Sequence, residues 1–201
     1  MFPALPLKSE RPEDSTMTRT TAREIAIQLG FAAVSSREDI SQLMERFFAP
    51  EHYASLRSEN ELYAELPDKK QMAYIRRLAE LTMENRSEID GFIERYARGW
   101  KLERISKTAL AVMRCAICEI LYMDDIPNAA AINEAVELDK GYDEPDTVAF
   151  VNGVLGGFVR GELGQALPAQ ETPAEKTSAP EASVGETSGE KESAQAEPIR
   201  E

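Results

Sequence analysis

Apolar residues recur through most of this chain at intervals of three and four, the spacing that places side chains on one face of an α-helix. No stretch alternates between apolar and polar residues as a half-buried strand does, and the sequence contains no internal repeat. The pattern therefore predicts an all-α fold. The connections between the helical segments are short, which favours antiparallel neighbours and hence helical bundles.

Capping and breaking residues give approximate ends for the predicted helices. Thr21 begins a capping-box pattern at the start of the first helix, and Pro50 is expected to end the second. Residues 51–66 mix polar and aromatic side chains and are compatible with a short helix. Asn128 and Asp146 are predicted to cap the last two helices, because short polar side chains accept hydrogen bonds from free amides there.

Composition changes at both ends of the chain and predicts three segments. Residues 1–16, interrupted by prolines, are expected to form a disordered extension, and Met17, directly before the first helix, is a candidate for the true start. Residues 17–162 are the helical domain. Residues 163–201 are expected to be a disordered acidic tail, built from Pro168 onward almost wholly of Ala, Glu, Pro, Ser, Thr, Gly, Lys and Gln. Such a tail buries too little apolar surface to offset the entropy of ordering.

The chain of 201 residues carries a net charge of −13. A protein that coats nucleic acid through bulk positive charge is therefore excluded, and any RNA site has to be a local patch. Two stretches of the helical domain are rich in basic residues. They are Lys69, Lys70, Arg76 and Arg77 in the first, and Arg95, Arg98, Lys101, Arg104, Lys107 and Arg114, with Glu103 as the single acid among them, in the second. Structural ion pairs are an equally plausible role for Arg104 and Arg114.

Chemistry-bearing residues are few. We expect no enzymatic activity and no cofactor, since the chain has a single histidine, His52, and neither a nucleophile–base pair nor a phosphate loop stands out. Cys115 and Cys118 lie within a predicted helix among apolar residues, which favours packing over a redox or zinc role. The absence of a signal peptide, of any apolar run of membrane-spanning length and of further cysteines predicts a cytoplasmic protein without a membrane partner.

The last predicted helix contains features that require explanation. Gly153, Gly156 and Gly157 each cost about 1 kcal/mol relative to alanine within a helix. A close approach of another helix or of a ligand would offset that cost. Asn152 lies between apolar residues and is either a satisfied structural amide or a contact to a base or phosphate.

Several motifs, taken together and in order, resemble those of the NusB family. They cover about residues 17–162. They are residues 21–28 (TAREIAIQ), 100–105 (WKLERI), 113–120 (MRCAICEI), 126–127 (IP), 131–140 (AINEAVELDK) and 150–155 (FVNGVL).

The resemblance implies seven helices in two small antiparallel bundles and a non-enzymatic antitermination factor. It implies binding to boxA-type RNA of ribosomal RNA operons jointly with NusE, a small-subunit ribosomal protein. That complex would act with other Nus factors on transcribing RNA polymerase and promote read-through. Two alternatives come from other classes: a protein-only helical adaptor, and a fragment of a ribosomal RNA methyltransferase that begins with a similar domain. The second is disfavoured because only the acidic tail follows the helices here.

The resemblance also implies where RNA would bind. Arg19 and Arg23 lie four residues apart, on one helix face; their spacing alone allows a solvated edge or a phosphate clamp, and the family pattern favours the clamp. The family's first helix usually begins with more arginines, and its aromatic residue near the end is Phe31 here. The remaining candidates on the same face are Asn128, Lys140, Asp146, Phe150 and Asn152. Asn128 and Asp146 are included because helix starts offer free amides to anions.

Overall fold

The computed structural model describes residues 17–164, which form eight α-helices and two 3₁₀ helices, with no β-strand among them. The α-helices are α1 (Arg19–Ser36), α2 (Ile40–Phe47), α3 (Pro50–Glu59), α4 (Lys69–Glu84), α5 (Arg86–Tyr96), α6 (Lys107–Tyr122), α7 (Asn128–Asp139) and α8 (Pro145–Glu162). The all-helical prediction is confirmed, with one helix more than the seven expected. Residues 1–16 and 165–201 lie outside the described residues, so the disordered ends, the segment boundaries and the start at Met17 stay predictions.

The additional helix is α3, in the segment where the sequence pattern was least regular. Pro50 was predicted to end α2. It is instead the first residue of α3, a position where its missing N–H costs nothing. In α3 only Tyr53 is buried, so no apolar stripe marks the helix. Its ring stacks on that of Phe48 at a centroid distance of 5.5 Å and meets Tyr63, in the following 3₁₀ helix, edge-on. Aromatic packing thus holds this segment.

Three predicted helix caps are displaced, those of α7 and α8 by one or two residues and that of α1 by three. Pro127 and Glu144 occupy the N-cap positions of α7 and α8, and neither makes a side-chain cap. Asn128 is therefore the first residue of α7, and Asp146 lies in the first turn of α8. At α1 the cap is Thr18, whose hydroxyl accepts a hydrogen bond from the Thr21 amide at 3.1 Å.

Helix α6 connects the two groups of helices that make up the described fold. On one side α6 packs against α1 and α4, and these two helices also contact each other and α2. On the other side α6 packs against α5, α7 and α8, and α8 contacts both α5 and α7. Because α6 is surrounded, its apolar residues occupy most of its faces rather than one stripe. They are Ala109, Ala111, Val112, Met113, Cys115, Ala116, Ile117 and Cys118, all buried.

Helices α5 and α8 approach closely where Tyr96 lies against glycines of α8. A Cβ atom added at Gly157 would lie 3.2 Å from Tyr96 Cδ1, and one added at Gly161 would overlap the Tyr96 hydroxyl. The predicted close approach is confirmed at Gly157, while Gly161 was not foreseen. At Gly153 a Cβ atom would meet nothing, so no helix of the described structure approaches there, and at Gly156 it would meet only the Arg160 side chain of α8 itself, at 3.1 Å.

No helix within residues 17–164 is both long enough and apolar enough to span a membrane.

Candidate nucleic-acid interface

Arg23 points from α1 into the protein, where it meets the carboxylate of Glu119 on α6. Arg23 Nε lies 3.1 and 3.0 Å from the two Glu119 oxygens, and Nη2 donates to Oε1 at 3.0 Å. Tyr74 of α4 donates to the same Oε1 at 2.5 Å. Arg23 Nη1 pairs with Glu134 of α7 at 2.9 Å, and Thr20 donates to Glu134 at 2.7 Å. Four helices are therefore joined through one buried ion pair.

Burial decides the role of Arg23. Its residue is 3% exposed and Glu119 is 0% exposed. Burial by itself lowers the pKa of Arg23, but the hydrogen bond and charge of Glu119 outweigh it and raise that pKa. Burial, together with the negative charge of Glu119, raises the pKa of Tyr74. Arg23 therefore positions α1 on the core through Glu119 and Glu134, which leaves little of its guanidinium for the predicted phosphate clamp.

Arg19 is half-buried, with its guanidinium carbon 4.0 Å from the centre of the Tyr74 ring. The start of α1 lies beside the start of α4, because the Gln71 side chain donates to the Met17 carbonyl at 3.2 Å. Lys69 and Lys70 are exposed in the first turn of α4. We call Arg19, Lys69 and Lys70 the helix-start surface.

Several members of the two basic stretches are engaged in ion pairs, which removes them from consideration as free phosphate ligands. The structural alternative is confirmed for Arg114, which holds Asp90 through two hydrogen bonds of 2.6 and 2.9 Å. The other pairs are Arg76–Glu80, Arg77–Asp125 and Arg95–Glu162. Within the described residues, Arg98, Lys101, Arg104 and Lys107 are exposed and have no ion-pair partner.

An exposed aromatic side chain lies among these free cations. Gly99, with φ of 80°, makes the turn after α5, a backbone conformation that costs a residue with a Cβ atom energy. Trp100 follows and is 52% exposed. Its ring packs on Phe150 of α8 at a centroid distance of 5.5 Å. We call Trp100 and Phe150, with Arg98, Lys101 and Arg104, the Trp100 platform.

A cavity of about 530 Å³ lies between α1, α4 and α6, beside the 3₁₀ helix Leu102–Arg104. Its lining is mainly apolar and includes Phe31, Leu102 and Leu110, with the basic Arg37 and Lys107 among the lining residues. Phe31 is half-buried here. The surroundings of Phe31 suit an apolar group of a ligand or partner better than a phosphate.

The other predicted RNA-binding residues are spread over α7 and α8. Lys140 is exposed and pairs with Glu137 at 2.5 Å. Asp146 is exposed, while Asn128 and Asn152 are half-buried. Phe150 meets Trp100, whereas Arg19 and Arg23 meet across Tyr74.

In the described structure no hydrogen bond, ion pair or ring contact joins the Arg19–Arg23 pair to the Phe150–Trp100 pair. The single face predicted from sequence is therefore not assembled by direct contacts. The RNA-binding roles of these residues stay predictions.

Two acids, the buried Asp139 and the half-buried Asp143, lie at the end of α7, next to Lys140. Asp139 is 0% exposed, and neither of its carboxylate oxygens has a hydrogen-bond donor among the described residues. The adjacent Asp143 accepts a hydrogen bond from Ser106 at 3.0 Å. Burial and the negative charge of Asp143 raise the pKa of Asp139 to about 7. Asp139 therefore retains a proton at a higher pH than an exposed aspartate does.

The two cysteines pack inside the protein. Thr82 lies 3.9 Å from Cys115 Sγ, and Cys118 Sγ lies 4.0 Å from the Leu78 carbonyl. Burial raises the pKa of both thiols, that of Cys118 to about 11. Both are therefore thiols at neutral pH, poor as nucleophiles and as metal ligands.

Replacing both cysteines with alanine should lower the free energy of unfolding by about 1–3 kcal/mol, because small buried groups are lost without a change of charge. Denaturant unfolding measures the loss. RNA affinity of the folded variant should equal that of the parent. Stoichiometric zinc in the purified parent, or a disulfide under reducing conditions, would contradict a packing role.

Three residues that matter here were not predicted as functional. Trp100 carried a signal, since a lone tryptophan after a glycine and between basic residues is unusual for a core position. Glu119 also carried one, as a charged residue on an otherwise apolar helix. Asp139 could be found only from the structure, because no pattern along the chain reports that its carboxylate is fully buried.

Comparisons with known proteins agree with this architecture. The model of the NusB family matches residues 20–160. The chain is 38% identical over 151 residues to the transcription antitermination protein NusB of Acetivibrio thermocellus, covering 73% of this chain and 92% of that protein. It is 39% identical over 146 residues to the protein of the same name from Thermoanaerobacter sp. (strain X514), covering 73% and 93%.

Two solved structures share the fold. NusB of T. maritima superimposes with a TM-score of 0.60 at 30% identity, covering 73% of this chain and 94% of that one. A chain from a crystal structure of the antitermination factors NusB and NusE in complex with dsRNA gives 0.57 at 20% identity, covering 71% and 96%. At that identity the second likeness concerns the fold alone.

Proposed function

This chain belongs to the NusB family and is a non-enzymatic transcription antitermination protein, and on that premise we propose that it binds boxA-type RNA of ribosomal RNA operons together with NusE. In this proposal the complex acts in the cytoplasm with other Nus factors on transcribing RNA polymerase and promotes read-through. The chain contributes binding surfaces and no chemistry.

The observation that carries the RNA part of the proposal is the set of exposed cations without ion-pair partners in an acidic protein. The chain has a net charge of −13, yet Arg98, Lys101 and Arg104 are exposed within one short segment and are unpaired among the described residues. Unpaired cations gain the most binding free energy from phosphates, because their binding releases counterions from the RNA and no ion pair within the protein has to be broken first. The helix-start surface adds Arg19, Lys69 and Lys70.

Net charge also supports a protein partner. An acidic body repels RNA at long range but attracts a basic ribosomal protein, whose charge then offsets the repulsion. The cavity lined by Phe31 and Leu102 offers an apolar contact near the Trp100 platform, where one partner residue could be buried. We therefore expect RNA binding to be weak alone and strengthened by NusE.

The test is a titration of labelled boxA-type RNA with the full chain, with and without NusE, at several salt concentrations. NusE should lower the apparent Kd. Replacing Lys101 and Arg104 together with alanine should weaken binding and reduce the salt slope by about two, one for each lost phosphate contact. Arg46→Ala is the matched control, because Arg46 is exposed but pairs with Glu38 at 2.7 Å.

Two outcomes would contradict the proposal in different ways. Equal RNA affinity with and without NusE removes the coupling between the partners. Binding of NusE with no RNA binding under any condition favours the alternative, a protein-only adaptor.

A further inference from the structure

Trp100 is exposed to a degree that calls for an explanation. It is the only tryptophan in the chain. Among the described residues, only Trp100 and Leu66 are large apolar side chains that are mostly exposed, at 52% and 61%. An aromatic ring of this size left half in water is typical of a binding surface.

The indole is held in place although it is exposed. The Trp100 amide donates to the Ala97 carbonyl at 2.9 Å, which closes the turn at Gly99. Leu102 follows, half-buried against the core, and begins a 3₁₀ helix. Phe150 packs on the Trp100 ring from α8. Because both ends of the segment and one partner ring are fixed, a ligand would pay little entropy to use the exposed part of the indole.

The charges around the ring define the kind of ligand. Arg98, Lys101 and Arg104 surround Trp100 in sequence and are exposed, whereas Glu103 is the single acid of this segment. Asp146 lies one helical turn before Phe150 on α8, so an exposed carboxylate shares that side of the helix. Cations beside an exposed aromatic ring suit a polyanion that also carries flat rings, which describes a nucleic acid strand with unpaired bases. A duplex does not suit it, because its bases are already stacked inside.

We propose that Trp100, supported by Phe150, stacks on an unpaired base of single-stranded RNA while Arg98, Lys101 and Arg104 hold the adjacent phosphates. The inference rests on the proposed RNA-binding function and specifies how the strand is held. Trp100 supplies stacking and little charge. Its loss should therefore reduce affinity without changing the salt dependence, whereas loss of the cations changes both.

The experiment uses the full chain and its own tryptophan fluorescence. A boxA-type RNA strand should quench Trp100, and the same strand annealed to its complement should not. Trp100→Leu should weaken binding of the single strand on the order of ten-fold at an unchanged salt slope. Trp100→Phe should retain most of the affinity. Leu66→Ala, which removes an equally exposed apolar side chain outside the platform, should leave it unchanged.

The outcomes separate this inference from the proposed function. If the parent binds RNA without quenching, and Trp100→Leu binds it equally well, stacking is overturned while RNA binding stands. If Trp100→Leu keeps its RNA affinity but loses NusE, the ring belongs to a protein interface and the inference is wrong. If the parent binds no RNA at all, both fail. Melting curves should show the Trp100 variants as stable as the parent, since the side chain is half in water.

Discussion

Replacing Glu119 with alanine should lower the free energy of unfolding by about 3–5 kcal/mol, because the variant leaves the Arg23 guanidinium buried without its main counter-charge. Glu119 also accepts the hydrogen bond from Tyr74, so a second buried polar group loses its partner. Urea unfolding at neutral pH measures the change. Arg23→Ala should destabilise the protein comparably, since it leaves the Glu119 carboxylate uncompensated in the core.

A double variant separates the cost of an unpaired charge from the value of the pair. Arg23→Met combined with Glu119→Leu removes both charges and fills their space, so it should recover most of the stability lost in either single variant. Full additivity of the two single losses would show that the groups act independently. Arg23→Ala protein that remains folded should show the same salt slope of RNA binding as the parent. A slope lower by about one would show instead that Arg23 contacts a phosphate.

The second large effect is a dependence of stability on pH that comes from Asp139. Its pKa is raised in the folded protein to about 7, above that of an unfolded aspartate, so the folded state binds the proton more tightly. The resulting stability is fully present below pH ~4 and is lost as the pH rises through about 7. Between pH 5 and 7 the loss should be about 2–3 kcal/mol, at about 1.4 kcal/mol for each pH unit.

The variant Asp139→Asn isolates this contribution, because its amide can donate to Asp143 at any pH. The free energy of unfolding of parent and variant should diverge as the pH rises from 5 to 8, with the variant increasingly more stable. Chemical unfolding at each pH gives both curves. Glu137→Gln, which alters an exposed carboxylate on the same helix, is the control and should run parallel to the parent. Parallel curves for Asp139→Asn would contradict a raised pKa.

The sequence was informative about which residues share a helix face and less so about which face lies inside. Arg23 shows the difference. Its spacing from Arg19 correctly placed both on one side of α1, and both contact the Tyr74 ring. Burial of Arg23 depends on Glu119, a residue 96 positions away, and no local pattern reports such a partner. The family pattern treated both arginines alike and could not separate the half-buried Arg19 from the buried Arg23.

Local signals also explain what was right and wrong about the helices. Asp39, Asp68 and Ser106 cap α2, α4 and α6 by side-chain hydrogen bonds of the kind that sequence can foresee. The cap of α1, in contrast, is Thr18 and not the predicted Thr21. Helices α7 and α8 begin beside a proline without a side-chain cap, so the nearest polar residue misled the prediction. Trp100 reaches Phe150 only through the packing of α8, which spacing along the chain does not encode.

The contact between Tyr96 and α8 predicts that positions 96, 157 and 161 change together in evolution. An alanine at Gly157 or Gly161 would press its methyl group against the tyrosine ring or hydroxyl, so either change requires a smaller or displaced side chain at position 96. A smaller residue at 96 in turn removes the reason for the glycines, and alanine would then be favoured at both by its higher helix propensity. Among related sequences these positions should therefore change as a set, and their covariation would report the α5–α8 contact without any structure.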